Sequence, residues 1–477
     1  MPAQITISTW LFILLLVIAV GAILDRVLIP STRWFLRRRI SRVIDEIGTR
    51  LDIEIRPFQL TKRQVLIDWL AYDPAVIDAI QAHAAEKEMP REVVQKKVMT
   101  YAREIVPSFN AYLYFRIGYW IAKKIARMLY RVRVGLVHDE QYAAIDTGST
   151  VVFVMNHRSN MDYVLVAFLA AERTTLSYAV GEWAKIWPLQ MLIRAMGAFF
   201  VRRKSGNPLY RKVLERYIHM ATREGVCQAV FLEGGLSRDG KLKKPKLGLM
   251  DYMLRQFDLK NDRDIVFIPV GINYDRTLED RSLVRSLDPE AGKRSWWFVV
   301  RTTVGFIARS FFLMIVSRWR RYGYAGVNFG SPVSINNYCQ THAIDFSKLD
   351  RRERFAAVED LCGQLMSAIA GVVPILPLSI LATLFLGTKE KWLDFDDIER
   401  KANTLIHRLQ TSGAPVLDIP RATRIHAIGD ALDHLLLRKL IEYSGDRYRM
   451  VPQNAVILQY YANSIAHWQE ENKDDAM

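Results

Sequence analysis

An imidazole and a carboxylate stand five residues apart in Asn156-His157-Arg158-Ser159-Asn160-Met161-Asp162-Tyr163. Directly before them runs Val151-Val152-Phe153-Val154-Met155, an unbroken apolar stretch of strand character. A histidine at the end of a buried strand can take a proton from a hydroxyl near neutral pH, and a neighbouring carboxylate fixes its tautomer and orientation. The same pair also serves as a plain structural hydrogen bond, so spacing alone leaves both readings open. No Gly-x-Ser-x-Gly elbow occurs, and Cys227 precedes an apolar run rather than sitting in a basic loop, which leaves a covalent nucleophile unsupported.

Three further apolar runs share this pattern: GAFFV (197–201), QAVFL (228–232) and IVFIPV (265–270). They are followed by Arg202-Arg203-Lys204, by Glu233-Gly234-Gly235-Leu236-Ser237-Arg238-Asp239-Gly240-Lys241, and by Gly271-Ile272-Asn273-Tyr274. Ligands of open α/β sheets bind off the carboxyl ends of the strands, so these basic and glycine-rich segments share an edge with His157. Guanidinium forks and glycine-exposed backbone amides both suit a phosphate dianion. A solvated charge run and an ordinary glycine turn are the plainer readings of each segment alone.

Together the four blocks resemble the glycerolipid acyltransferase superfamily with its H-x-x-x-x-D motif. HRSNMDY, GAFFVRR, FLEGGLSRDGKLKKPKLG and IPVGINYDR are most similar to the membrane-bound glycerol-3-phosphate acyltransferases of bacteria and the related dihydroxyacetone-phosphate acyltransferases. DPAVIDAI, YAREI and the late YYANSIAH extend the resemblance over roughly residues 60 to 468. The resemblance implies His157 as general base and Asp162 as its orienting partner. It implies Arg203, Ser237, Arg238 and Lys246 around the acceptor's phosphate, Glu233 and Gly234 as the Glu-Gly signature, and Pro269 on the acyl side. One position departs: Leu236 stands where the family usually has arginine, with Arg202, Lys204 or Lys241 as candidates to compensate. Asn160 stands where histidine is common. The implied reaction is direct transfer of an acyl group from acyl-CoA or acyl-carrier protein to the sn-1 hydroxyl of glycerol 3-phosphate, giving lysophosphatidate. Dihydroxyacetone phosphate and lysophosphatidate are the alternative acceptors, and a catalytically silent membrane-surface scaffold is the alternative of another class. No metal or cofactor is implied.

The elements that must position these residues read as an α/β fold, with a mixed, partly parallel sheet flanked by helices. Expected divisions are 1–30, an N-terminal transmembrane anchor; 31–133, a basic helical region; 134–345, the α/β acyltransferase domain; and 346–477, a C-terminal helical region. The anchor reading rests on the uncharged run Ile5 to Leu24, long enough to cross a bilayer. Arg26, Arg33, Arg37, Arg38, Arg39 and Arg42 follow it, so the positive-inside rule predicts the rest of the chain on the cytoplasmic face of the cell's inner membrane. Residues 110–134 interleave aromatic and basic side chains, as an interfacial helix or a docking helix with a solvated basic face does. The uncharged stretch 368–387 is broken by Pro374 and Pro377 and reads as a buried helical hairpin. Lys+Arg 66 against Asp+Glu 50 gives a net charge of +16, which calls for an acidic partner. An anionic phospholipid surface and a phosphorylated substrate fit the motifs; nucleic acid does not, for want of a reader motif. Cys227, Cys339 and Cys362 form neither a CxxC nor a Cys/His cluster, which fits a reducing compartment.

Overall fold

In a computed structural model, the residues described are 56–135, 139–170, 176–181, 189–202, 205–288, 321–388, 391–419 and 421–469. The expected anchor, the arginine cluster behind it, and Arg203 and Lys204 lie outside them.

An eight-stranded sheet carries the four apolar runs. Its strands are β1 (Arg131–Val134), β2 (Thr150–Met155), β3 (Ser177–Gly181), β4 (Phe199–Val201), β5 (Gln228–Phe231), β6 (Ile265–Tyr274), β7 (Tyr324–Phe329) and β8 (Val333–Ser334). Their spatial order is β1-β7-β6-β2-β5-β3-β4, with β8 also on β6. From β6 to β4 every neighbouring pair is parallel. β7 and β8 join β6 antiparallel, which makes the sheet mixed.

Parallel strands need cover on both faces, and the pleat sends alternate side chains to each. Val152 and Val154 enter one core with the helix Pro208–Arg223 and the N-terminal helices Arg63–Ala71, Pro74–Glu86 and Arg91–Ile105. Val151 and Met155 enter the other, with the helices Tyr119–Leu129 and Met161–Ala170. Pro208 at the first helical position and Asn207, whose side chain accepts from the Leu209 and Tyr210 amides, explain where the long crossover helix starts.

The basic aromatic stretch departs from a single helix. It opens on a π-helical turn, Leu113–Gly118, continues as Tyr119–Leu129 and ends as the edge strand β1. Arg-Val-Arg-Val alternates at period two, which a strand satisfies and a helix does not. Ala122, Ala126 and Leu129 dock the helix into the core, while Trp120 is exposed beside Lys124.

The helix Arg351–Val372, expected with the C-terminal region, packs into the same core as the sheet. Its start is set by a capping box between Asp350 and Glu353. A second core begins at Ile375 and gathers the helices Pro377–Thr388, Phe395–Thr411, Arg421–Leu437 and Ala455–Ala462 with a small three-stranded antiparallel sheet. Residues 368–387 thus form the end of one helix and most of the next, with Ile375, Leu376, Leu378, Leu381 and Phe385 all buried. The join between the two cores is polar: Asp275 accepts the amides of Tyr324 (2.7 Å) and Leu378 (3.0 Å), capping the second helix from the end of β6.

Candidate active site

Strand β2 delivers His157 and Asp162 to one turn at its carboxyl end. The turn is strapped to β6 by Asn156, whose amide donates to the Ile272 carbonyl (2.9 Å) and accepts the Ile272 N–H (2.8 Å). His157 is 1 % exposed and Asp162 fully buried. The imidazole Nδ1–H donates to Asp162 Oδ2 at 2.8 Å. Asp162 also accepts the amides of Arg158 (2.7 Å) and Ser159 (3.1 Å), and its other oxygen takes the Tyr274 hydroxyl at 2.7 Å. With four donors converging on it, this carboxylate acts only as an acceptor, which fixes the proton on Nδ1 and leaves Nε2 as the basic nitrogen. His157 Nε2 is buried and has no hydrogen-bond partner. The ring is stacked on Phe231 at a centroid distance of 4.0 Å, with Tyr163 edge-on at 5.4 Å, so its plane is fixed as well.

The third block wraps this turn. Glu233 Oε1 accepts the His157 amide at 3.2 Å, and Ser237 N–H donates to the His157 carbonyl at 2.9 Å. Burial pushes the Glu233 carboxyl up to about 7, against the opposing pull of Arg158 and the amide it accepts. Its second oxygen has no partner. Gly234 has a φ of +67°, and the Lys246 stem lies 2.7 Å from where a Cβ would stand, so only glycine fits without displacing it. The Gly234 amide donates to the Phe231 carbonyl at 2.9 Å; it is spent on the turn and not free for an oxyanion. Ser237 is fully buried and spends its hydroxyl on the Lys241 carbonyl (2.7 Å) while accepting the Gly240 amide (3.1 Å). That makes it a brace of the loop. The side chains of Arg238 and Lys246 are exposed at the loop's surface.

The charges expected to offset Leu236 are distributed differently. Arg202 forms a two-pronged ion pair with Glu104 (3.0 and 2.6 Å) and lies over the rings of Tyr101 and Tyr210, and is thereby committed to the fold. Arg203 and Lys204 lie outside the described residues. Lys243 donates to the carbonyl of Leu236 itself. Pro269 lies inside the sheet, in register with Val154.

Four residues that the sequence leaves unassigned complete the site. Tyr274, at the end of β6, holds Asp162; Glu279 accepts the Ser159 hydroxyl (2.7 Å) and the Asn160 side-chain amide (3.0 Å). Burial raises the Glu279 carboxyl above its ordinary range. Arg158 is 2 % exposed and donates to the Gly240 carbonyl. Tyr460 lies against Gly240, whose φ of +85° and contact with the Tyr460 carbonyl leave no room for a side chain. The Tyr460 hydroxyl lies 3.5 Å from the Arg158 carbonyl, and Asn463 donates to the Asp239 carbonyl at 2.8 Å. YYANSIAH is therefore the outer wall of the third-block loop. A tyrosine ending an all-buried strand is the signal that points to Tyr274.

Comparison with known proteins gives two family matches in chain order: an acyltransferase model over residues 136–273 and a glycerol-3-phosphate acyltransferase C-terminal region over residues 310–469. The glycerol-3-phosphate acyltransferase of Pseudoalteromonas atlantica is 27 % identical over 423 residues, which cover 86 % of this chain and 50 % of that protein. That of Aeromonas hydrophila is 27 % identical over 445 residues, 91 % of this chain and 53 % of that protein. This chain thus spans about half the length of the curated relatives it matches. The crystal structure of the 1-acyl-sn-glycerophosphate acyltransferase PlsC from Thermotoga maritima aligns over 64 % of this chain and 96 % of that one, at 16 % identity and a TM-score of 0.30, a likeness too slight to bear on function. The His157/Asp162 turn lies inside the first matched region and the wall of its loop inside the second, so the site is built from a segment that matches an acyltransferase domain and a later one that matches a glycerol-3-phosphate acyltransferase C-terminal region.

Proposed function

We propose that this protein transfers a fatty acyl group from acyl-CoA or acyl-carrier protein to the sn-1 hydroxyl of glycerol 3-phosphate, forming lysophosphatidate. The observation that carries the proposal is an imidazole with one nitrogen fixed on a carboxylate and the other, Nε2, buried and unpartnered. Nε2 takes the proton as the acceptor oxygen attacks the thioester carbon. The tetrahedral intermediate collapses, the carbon–sulfur bond breaks, and the imidazolium returns the proton to the leaving thiolate, so free thiol departs. Asp162 stabilises the imidazolium through Nδ1, and Tyr274 and Glu279 keep Asp162 and its turn in place. Nε2 is out of solvent contact in this conformation, so the acceptor reaches it only after a local opening. Glu233, Gly234 and Ser237 shape the loop around the acceptor, while Arg203, Arg238 and Lys246 contribute positive charge near its phosphate.

The reaction belongs at a membrane surface, where acyl products partition. Residues 5–24 anchor the chain in the inner membrane in this reading, with the catalytic part on the cytoplasmic face. The exposed Trp120, paired with Lys124, meets anionic headgroups.

The test is acyl transfer to glycerol 3-phosphate by purified protein, following thiol release and identifying the lipid. His157→Ala is expected to lower the rate about 10²- to 10⁴-fold with an unchanged melting profile. Full activity in that variant would remove His157 from the chemistry, and product formed only with another acceptor would reassign the substrate.

A further inference from the structure

We infer that Arg158 grips the acceptor's phosphate and supplies the guanidinium that position 236 lacks, an inference that rests on the acyl-transfer reading above. Arg158 is 2 % exposed. One of its terminal nitrogens donates to the Gly240 carbonyl, while Nε and Nη2 are buried without a partner. Among the described residues no carboxylate lies within ion-pair distance of it, unlike Arg438 on Asp280, Arg354 on Asp251 or Arg202 on Glu104. A guanidinium taken out of water without a counter-ion is costly, and proteins retain such a group where a ligand supplies the opposite charge. The Nε–Nη2 edge presents two parallel N–H groups, the spacing that two oxygens of a phosphate match.

Its position fits the same role. Arg158 follows His157 directly, and its side chain ends at Gly240, in the loop where the Gly240 amide is held by Ser237 and the Ser237 amide by the His157 carbonyl. The cation therefore ends in the same third-block loop that carries Leu236. Glu233 feels its charge but is a poor permanent counter-ion, because burial pushes that carboxyl up to about 7. Leu236 leaves that loop with one cation fewer, and Arg158 brings one to it from the end of β2.

The experiment uses the full chain in detergent. KM is measured separately for glycerol 3-phosphate and for acyl-CoA, together with competitive inhibition by inorganic phosphate. Arg158→Gln is expected to raise KM for glycerol 3-phosphate about 10- to 100-fold, from the loss of one charge-assisted contact, and to weaken phosphate inhibition in proportion. KM for acyl-CoA stays within twofold. Adding Leu236→Arg to Arg158→Gln restores much of the acceptor KM, which a merely structural arginine would not permit. Equal losses for both substrates, or an unchanged acceptor KM, overturn the inference. If Arg158→Gln does not fold, Arg158→Lys decides by the same ratio, since an ammonium keeps charge but loses the fork. A wild-type protein that fails to acylate glycerol 3-phosphate defeats the reaction assignment instead. In that event calorimetric binding of inorganic phosphate to wild type but not to Arg158→Lys still upholds the site, and equal binding by both overturns it.

Discussion

The carboxyl edge of the sheet and the C-terminal brace both bury charge, and they treat it in opposite ways. In the brace, Arg438 meets Asp280 and the Tyr461 hydroxyl, Tyr461 donates to Asp280, and the Thr277 amide completes the set at 3.2 Å. At the site, His157 Nε2, Arg158 Nε and Nη2, and Glu233 Oε2 are equally buried but without partners. Unsatisfied buried polar atoms destabilise a fold, so their concentration on three neighbouring residues marks where binding has been favoured over stability. The brace holds the wall of the site, and its completeness is what lets the site remain incomplete.

Breaking the brace is expected to have the largest effect. Asp280→Ala leaves Arg438 buried without its carboxylate and should cost about 3–5 kcal/mol of stability, read by denaturant unfolding, with activity lost as Tyr460 and Asn463 leave the loop. Normal stability in this variant would mean that the two regions are held by apolar packing alone. Tyr274→Phe acts on the site instead. It removes one donor from Asp162, worth about 1.5–3 kcal/mol in charge-assisted bonds, and should lower kcat about tenfold or more with a stability loss no larger than that, below the loss in Asp280→Ala. A variant that loses stability but keeps kcat would place Tyr274 in the brace class.

Glu233→Gln tests the contrast most gently. The folded carboxyl is raised to about 7, above its ordinary value of 4.5, so between those pH values the unfolded chain releases a proton that the folded chain keeps. Glu233 therefore makes stability fall as pH rises from about 4.5 to about 7, with the loss complete above that. Glu233→Gln, which retains an oxygen to accept the His157 amide, should flatten that decline and gain most at pH 8. A mutant curve parallel to wild type would show that Glu233 is not held out of water in solution.

How much of this was legible depended on distance along the chain. The four apolar runs and their polar followers were readable because strand burial and turn chemistry are local signals. β1 was absorbed into the basic helix that precedes it, its exposed arginines masking the period-two pattern. β3, with Gly181 at its end, and β7, with Gly326 in its middle, are interrupted by glycine and do not read as apolar runs. Within the site, the His157–Asp162 pair was legible as five residues of sequence. Its supports are not: Tyr274 reaches Asp162 across 112 residues, Glu279 reaches Ser159 across 120, and Tyr460 reaches Arg158 across 302. No local pattern encodes a tertiary hydrogen bond. The reverse failing is instructive too, since Ser237 and Arg202 match the motifs yet are spent on the fold.

Asn463 grips the carbonyl of Asp239 from 224 residues further along the chain, against a glycine that leaves no room for error. A ribosome adding roughly 5–20 residues per second needs about 11–45 seconds to cover that span. For that interval the nascent chain carries its base, its carboxylate and most of its sheet, but not the outer wall of the loop beside them. The distance of the wall along the chain thus acts as a clock: the catalytic turn is completed only after the residues between Asp239 and Asn463 have been synthesised.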